Sequence, residues 1–297
     1  MILVTGAAGK TGRAVLSALA AKGGASVRAV VRDEAQARLA AQAGASEVVL
    51  GDLLDAEGVQ QAAAGVQAVY HICPNMHPEE IQIGKILIAA ARDAGVQRFL
   101  YHSVLHPQVE QMPHHWNKLR VEEFLFESGL PSTILQPAPY MQNVLGSWSA
   151  ITEQGVYAVP YSPQTRLSLV DLDDVAEVAA QALIESAHIG GIYELVGTPP
   201  LTQTDVAEIL GRQLGRPVLA SEISLETWRR NAELSGSLTN YAIESLVKMF
   251  SYYAGYGLEG NPSVLGFLLG RPPTSLSDFV ARVAAQRKGG PPRRRGR

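Results

Sequence analysis

The stretch VTGAAGKTGR, residues 4–13, carries two overlapping glycine patterns that imply different phosphate-binding folds. A nucleotide triphosphatase loop needs a glycine, four further residues and then Gly-Lys-Ser/Thr. Gly9, Lys10 and Thr11 match the end of that pattern, but its first glycine would fall at Val4. The spacing therefore excludes a triphosphatase loop.

Three glycines spaced three residues apart fit the second pattern, a dinucleotide-binding turn. Gly6, Gly9 and Gly12 separate the strand-like MILVTG from the helix-like RAVLSALAAK. In such a turn the glycines permit a tight reversal, close approach of a pyrophosphate and close helix–strand packing, while the helix N-terminus faces the phosphates. The residues predicted to bind the pyrophosphate are Gly6, Ala7, Ala8, Gly9, Lys10, Thr11 and Gly12.

Strand-like apolar runs alternate with amphipathic stretches through the first half of the chain. After MILVTG, the predicted strands are ASVRAVVR, SEVVLGD, AVYHICP, RFLYHSV and STILQPAPY. This alternation predicts an α/β fold, a Rossmann-type doubly wound parallel sheet with helices on both faces. We assign it to residues 1–150, with later strands and helices joining it. Residues 151–285 are predicted to form a smaller α/β cap, and residues 286–297 a disordered basic tail.

Composition indicates a globular, enzyme-like chain, with 46% hydrophobic and 18% charged residues. The single cysteine, Cys73, excludes an internal disulfide and fits a reducing compartment. The first strand begins at Met1, which leaves no room for a signal peptide, and no apolar run approaches membrane-spanning length. We therefore expect a cytoplasmic protein with no membrane partner.

The charge of the chain is unevenly distributed. From Arg287 onward the chain carries six basic residues and no acid, so the body is more acidic than the net charge of −3 suggests. An acidic body argues against a nucleic-acid partner. The tail is interpreted as a solvated end, with weak binding of an acidic surface as the alternative.

The end of the second predicted strand bears on the choice of dinucleotide. An acid at this position binds the adenosine ribose of NAD, whereas an arginine suits the 2′-phosphate of NADP. Here Arg32 ends the strand and Asp33 follows as the expected N-cap of the next helix. With Lys10 nearby, this pattern favours NADP (NADPH), while NAD stays open as the alternative.

The chain resembles the NmrA-like group of atypical short-chain dehydrogenases/reductases, which includes quinone reductases, isoflavone-type reductases and NADP-sensing regulators. The resemblance runs nearly end to end. Its motifs are VTGAAGKTG, AVVRD, VVLGDLLD, AVYHICP, GVQRFLYHSV, NKLRVEEFLFESGLPSTILQPAPYMQNV, VDLDDVAEVAAQAL, YELVGTPPLTQTDVAEIL and LLGRPPTSLSDFV.

The resemblance implies contacts to the cofactor beyond the glycine turn. Arg32 is expected at the adenosine phosphate, and Lys118 at the ribose on the nicotinamide side. Asp52 and Leu53 are expected against the adenine. The remaining implied contacts are Ile72, Cys73 and Pro74 beside the ribose on the nicotinamide side, and Tyr140 and Asn143 at the nicotinamide end or the substrate.

The chain departs from the usual proton-transfer set of dehydrogenases. Four residues before Lys118, where the catalytic tyrosine is expected, stands His114. Ser103 lies where a catalytic serine would be. Our candidate catalytic residues are Lys118 as a positive donor, Ser103, and His114 as a neutral-pH acid, with an exposed loop histidine in the irregular MPHHW stretch as the alternative for His114.

Other chemically suggestive groups favour structural roles. His102 and His106 straddle a strand end without a matching acid, so we predict no metal site. Cys73 is expected to be a buried apolar residue rather than a nucleophile, and the carboxylates in VDLDD are expected to cap a helix. Aromatic residues in the middle of the chain either line an acceptor pocket or pack the cap; they are Tyr140, Trp148, Tyr157 and Tyr161.

These observations lead to two functional hypotheses. The first is an NADPH-dependent reductase that transfers hydride to a conjugated small-molecule acceptor such as a quinone, dye or enone. The second is a non-catalytic NADP(H)-sensing regulator with a protein partner, which the missing tyrosine favours. A sugar-nucleotide epimerase ranks last because it requires that tyrosine.

Overall fold

The computed structural model describes residues 1–23 and 25–288. The strands in chain order are β1 Ile2–Val4, β2 Val27–Val31, β3 Glu47–Leu50, β4 Ala68–His71, β5 Arg98–His102, β6 Ser132–Pro137, β7 Val156–Val159, β8 Arg166–Leu167, β9 Ile192–Leu195, β10 Leu201–Thr202 and β11 Leu219–Glu222. The α-helices are α1 Lys10–Lys22, α2 Glu34–Ala43, α3 Ala56–Ala63, α4 Glu80–Asp93, α5 Pro113–Glu127, α6 Leu172–Ile184, α7 Gln203–Leu214, α8 Leu225–Ser235, α9 Asn240–Tyr256, α10 Ser263–Leu269 and α11 Leu276–Lys288. Short 3-10 segments span Met141–Ser147 and Ser186–His188, and a π turn spans Ala150–Gln154.

Seven strands form one parallel sheet in the order β3-β2-β1-β4-β5-β6-β9. Val4 of β1 pairs with Ala29 of β2 on one side and with Tyr70 of β4 on the other. The strand order reverses between β1 and β4, and a crevice for ligands opens at the carboxyl ends of strands at such a point. The predicted Rossmann-type doubly wound fold is therefore confirmed.

The two faces of the sheet carry separate apolar cores. Side chains alternate along a strand, so Tyr70 of β4 packs in the cluster that includes α1 and α6 residues such as Leu16 and Val175. Tyr101 of β5 packs in the opposite cluster, which includes Ile83 of α4 and Val121 of α5. The carboxyl ends of β4 and β5 thus present side chains to both faces of the sheet.

Residues after 150 contribute both to the main sheet with its helices and to the smaller sheets outside it. α6 packs on α1, and β9 adds the seventh strand of the main sheet. Outside that sheet, β11 pairs with β7 and β10 with β8, beside a third apolar cluster that contains Trp148, Leu210 and Phe279. Trp148 is therefore a packing residue, and Tyr161 is likewise buried, in edge contact with Tyr253.

The structure corrects two details of the sequence interpretation. MPHHW is not irregular: Pro113 is the first residue of α5, so both histidines lie in its first turn. Proline suits this position because its fixed φ matches the helix and its missing N–H has no intrahelical partner there. The tail predicted over residues 286–297 begins too early, because α11 continues to Lys288; its remaining residues lie outside the described ones.

Candidate functional site

The glycine turn between β1 and α1 has a backbone that requires glycine. Gly6 adopts a φ of +60°, and a Cβ there would lie 2.7 Å from the carbonyl oxygen of Ile72. A Cβ on Gly12 would lie 2.4 Å from the carbonyl oxygen of Gly6. These contacts hold α1 against β1 and the turn against the end of β4, as the sequence pattern predicts.

The N-terminus of α1 is suited to an anion. Its N-cap is Gly9, which is exposed and has no side chain to cap the helix. The first N–H groups of a helix have no intrahelical acceptor and carry the positive end of the helix dipole. The turn therefore fits the pyrophosphate of a dinucleotide, which supplies the acceptors that the chain itself does not.

The other predicted cofactor contacts lie along the same edge of the sheet. Ile72 and Cys73 are buried directly after β4, with Pro74 half-buried beyond them. After β3, Leu53 is buried while Asp52 is exposed and accepts a hydrogen bond from the Leu54 backbone, 3.0 Å away. The structure brings these residues to the carboxyl edge, where their contacts with a cofactor stay predictions.

Arg32 and Asp33 follow β2 and differ in how they are engaged. Asp33 is the N-cap of α2, and its Oδ1 accepts from the Gln36 backbone N–H at 2.8 Å. The backbone N–H of Arg32 donates to Gln36 Oε1 at 3.1 Å, while its side chain is exposed. The carboxylate is thus engaged by its own helix, whereas the guanidinium faces solvent.

Lys118 lies at the centre of a buried polar cluster under the carboxyl end of β5. Its Nζ donates to Glu80 Oε1 at 2.7 Å and to the backbone carbonyl of His102 at 3.0 Å. It also lies 5.4 Å from the centre of the Tyr101 ring. α5 supplies the lysine and α4 the glutamate, so the packing of these two helices positions the pair.

Several buried polar atoms around Lys118 have no hydrogen-bond partner among the described residues. They are His71 Nε2, Glu80 Oε2, Tyr101 Oη and His114 Nδ1. Glu80 Oε2 and His114 Nδ1 face each other at 3.4 Å without hydrogen-bond geometry. Unsatisfied buried polar atoms are uncommon in native proteins, and a cluster of them marks a candidate functional site.

The ionisation of Glu80 follows from its neighbours. Burial alone raises the pKa of this carboxyl group, but the Lys118 ammonium and the His114 side chain together lower it to about 2. Glu80 is therefore an anion at neutral pH. The pKa of His71 is lowered to about 3, by burial first and then by Lys118, so this imidazole is neutral.

Ser103 does not pair with Lys118. Its hydroxyl donates to the Glu122 carboxylate, which also accepts from Gln136 Nε2 at 3.0 and 3.1 Å. Burial raises the pKa of Glu122. The structure thus engages the predicted catalytic serine in a buried network, and its participation in catalysis stays a prediction.

Tyr140 joins the glycine turn to β5. Its hydroxyl lies 2.7 Å from His102 Nε2 and 3.2 Å from Thr11 Oγ1 in the first turn of α1. Asn143, predicted alongside it, has an exposed side chain. Of the two residues, the structure ties only Tyr140 to the turn.

The sequence interpretation missed Glu80, Glu122 and the role of His102. Glu80 begins a helix far from Lys118 in sequence, and no local pattern predicts that such a residue is buried. His102 was weighed only as a metal ligand. Its last position on a strand, where ligands bind in this fold, was the available signal.

Cys73 has the buried position expected of it. Cys73 is buried, and burial raises the pKa of its thiol. Within the described residues no group of three or more His, Cys, Asp or Glu side chains is placed to hold a metal ion. None of the helices described is both long and apolar enough to cross a membrane.

Residues 1–280 match the NmrA-like family. The chain belongs to this family. An NAD(P)H azoreductase of Xenophilus azovorans is 30% identical over 290 residues, which cover 96% of this chain and 98% of the relative. Quinone oxidoreductase 2 of Escherichia coli K12 is 29% identical over 287 residues, covering 95% and 98%. The NmrA-like resemblance stated from the motifs is thus confirmed.

Solved structures of NmrA-like reductases share the architecture over nearly the whole chain. The NADPH-dependent quinone oxidoreductase of Escherichia coli, complexed with NADPH, superposes with a TM-score of 0.83 at 28% identity, covering 96% of this chain and 100% of the other. The Citrobacter sp. triphenylmethane reductase complexed with NADP(H) gives a TM-score of 0.82 at 27% identity, with the same coverage.

Proposed function

We propose that this NmrA-like protein is an NADPH-dependent reductase that transfers hydride to a conjugated small-molecule acceptor of the quinone or dye type. It is an NAD(P)H-dependent oxidoreductase, as its full-length relatives are azo and quinone reductases. The observation that carries the proposal is the buried Lys118–Glu80 pair, with its unpartnered polar neighbours, at the same carboxyl edge of the sheet as the dinucleotide turn. A cytoplasmic location accords with its single cysteine.

The residues present fit a nicotinamide dinucleotide. The cofactor, when bound, supplies the hydride, and the protein supplies binding, orientation and electrostatics. The turn at Gly6–Gly12 would hold the pyrophosphate, and Arg32 would hold an adenosine 2′-phosphate through its planar fork. Asp33 is engaged as a helix cap, which supports the preference for NADP over NAD.

Lys118 is suited to stabilise negative charge that develops on an acceptor. An ammonium group has three donors, and Glu80 and the His102 carbonyl accept from Lys118, which leaves one donor for a ligand. Glu80 fixes the direction of the side chain. An acceptor that delocalises its incoming charge needs such a fixed donor more than it needs a strong acid, which accounts for the absence of a tyrosine four residues before Lys118.

The test is NADPH consumption with a panel of small quinones and azo dyes, measured together with NADPH binding. Lys118→Met keeps most of the side-chain volume and removes the charge. We expect turnover to fall about 100-fold or more while NADPH still binds. Lys85→Met, on the exposed side of α4, is the matched control and should keep full turnover.

One result would contradict the reductase, and another would contradict the role of Lys118 in it. Tight NADPH binding without turnover of any acceptor would favour the NADP(H)-sensing regulator instead. Turnover that survives Lys118→Met unchanged would leave a reductase whose chemistry does not depend on the buried pair.

A further inference from the structure

A chain of hydrogen bonds runs from the core to the glycine turn on the α1 face of the sheet. Tyr70 Oη lies 2.6 Å from His102 Nδ1, and His102 Nε2 lies 2.7 Å from Tyr140 Oη. Tyr140 Oη lies 3.2 Å from Thr11 Oγ1, in the first turn of α1. The chain thus joins β4, β5, the segment after β6 and the N-terminus of α1.

The direction of donation at the buried end is fixed by Tyr70. Its side chain is fully buried, and His102 Nδ1 is the hydrogen-bond partner of its hydroxyl among the described residues. A buried hydroxyl proton without an acceptor is costly, so Tyr70 donates and His102 Nδ1 accepts. Nδ1 therefore carries no proton.

This assignment determines whether the second ring nitrogen of His102, Nε2, carries a proton. A neutral imidazole has one protonated nitrogen, and burial followed by Lys118 lowers the pKa of His102 to about 3. Nε2 therefore carries the proton and donates to Tyr140 Oη. With its oxygen already accepting, the Tyr140 hydroxyl directs its own proton away from His102, towards Thr11.

Tyr140 is a hydrogen-bond donor and not an acid. Burial raises the pKa of its phenol, so the hydroxyl keeps its proton at neutral pH. On its donating side the hydroxyl faces Thr11 in the first turn of α1, a helix whose N-terminal N–H groups have no side-chain cap.

We propose that Tyr70 and His102 act as positioning residues that preset the Tyr140 hydroxyl as a donor to a pyrophosphate oxygen of the bound dinucleotide, alongside the N–H groups of α1. The proposal rests on the proposed function only in requiring that the protein bind NADPH. It assigns the cofactor's phosphate end, rather than its nicotinamide end, to Tyr140, and it gives the buried His102–Tyr70 pair a role in binding.

The first test is spectroscopic and needs no turnover. In protein labelled with ¹⁵N-histidine, without cofactor, the ring signals of His102 should be those of the neutral Nε2–H tautomer. Signals are assigned by their loss in His102→Gln. In Tyr70→Phe we expect a shift towards a mixture of tautomers, because the donor to Nδ1 is gone. An Nδ1–H tautomer in the wild-type protein would overturn the proposal.

The second test measures dissociation constants. Tyr140→Phe keeps the ring and removes the donor, so the Kd for NADPH should rise about 10-fold or more, as for a hydrogen bond to a charged group. Tyr70→Phe should raise the Kd by a smaller factor, and should add nothing in the Tyr70→Phe/Tyr140→Phe double variant. Additive effects would mean that Tyr70 acts on binding by another route, against the proposal.

Ligand fragments separate the two ends of the cofactor. 2′-Phospho-ADP-ribose keeps the pyrophosphate and lacks nicotinamide, so Tyr140→Phe should weaken it by the same factor as NADPH. An effect on NADPH alone would place the donor at the nicotinamide end and overturn the assignment.

The matched control is Tyr157→Phe, which removes a phenol hydroxyl on β7, outside the main sheet, that is bonded to Gln203 Oε1 at 3.2 Å. Its Kd should equal that of the wild type, and thermal unfolding verifies that each variant is folded. If the wild-type protein bound no NADPH, the proposed function would fail. If it bound NADPH and Tyr140→Phe changed nothing, only this inference would fail.

Discussion

Lys118 and Glu80 form a buried ion pair, with the lysine Nζ 2.7 Å from Glu80 Oε1 and both side chains almost entirely removed from solvent. The two residues lie on different helices, α4 and α5, and meet beneath the end of β5. Taking two charges out of water is expensive, and their attraction offsets that expense only while both partners are present. The pair therefore makes the packing of α4 against α5 sensitive to either residue.

Glu80→Gln should lower the free energy of unfolding by about 3 kcal/mol at neutral pH, because it leaves the Lys118 charge buried without an anion. Urea unfolding followed by circular dichroism measures the change. Glu79→Gln, at the exposed neighbouring position, is the control and should change the free energy by less than about 0.5 kcal/mol. Equal stability of the two variants would show that the ion pair contributes nothing.

Stability should begin to fall below about pH 6.5, before carboxylates titrate. The pKa values of His71, His102 and His115 are each lowered from 6.5 to about 3, chiefly by burial. Between these pH values the unfolded chain binds protons that the folded protein does not, so each imidazole removes up to about 1.4 kcal/mol of stability per pH unit. Above about pH 6.5 these three histidines no longer make the stability of the protein depend on pH.

His115→Asn tests this pH dependence. His115 Nδ1 lies 3.2 Å from the carbonyl oxygen of His106, and an asparagine amide can donate there without titrating. Urea unfolding at several values between pH 7.5 and 4.5 should give a shallower loss of stability for the variant than for the wild type. Parallel profiles would mean that His115 takes up its proton equally in both states.

The local parts of the site could be predicted from the sequence, because their determinants are adjacent in the chain. The spacing of Gly6, Gly9 and Gly12 is enough to predict a turn whose backbone the structure shows in detail. Likewise, the Asp33 cap depends on a residue three positions away. Alternation of strands and helices was enough for the parallel sheet.

The buried polar groups could not be predicted, because their positions depend on helix packing. Nothing near Glu80 in sequence indicates that it faces Lys118, 38 residues later. A loop position was the alternative for His114 because MPHHW has no regular pattern, whereas in the structure Pro113 is the first residue of α5. The partners of His102 come from β4 and from the segment after β6, which only the folded sheet brings together.

Arg32→Gln should convert a preference for NADPH into indifference between NADPH and NADH. The exposed guanidinium at the end of β2 is the predicted partner of the 2′-phosphate, and a hydrogen bond to a charged group contributes about 1.5–3 kcal/mol. The Kd for NADPH should therefore rise about 10-fold to 100-fold, while that for NADH stays constant. Arg92→Gln, at an exposed position of α4, should leave both constants unchanged.

Gly12→Ala should lower both the stability of the protein and its binding of NADPH. Gly12→Ala places a Cβ 2.4 Å from the Gly6 carbonyl oxygen and 2.5 Å from the Ala7 Cα, both backbone atoms that cannot move aside independently. We expect a loss of about 1–3 kcal/mol in the free energy of unfolding, together with loss of NADPH binding. Gly146→Ala, which meets no atom within 4 Å, is the control for both measurements.

Gly9→Ala should affect binding far more than stability. Gly9 has a φ of −70°, which any residue adopts, and a Cβ there meets only the Gly6 carbonyl oxygen, at 3.2 Å. The new methyl group would stand where the pyrophosphate must approach the N-terminus of α1. Isothermal titration with NADPH should show at least about a 10-fold rise in Kd, equivalent to about 1.4 kcal/mol, with the thermal unfolding midpoint nearly unchanged. An unchanged Kd would mean that the dinucleotide does not approach the protein at Gly9.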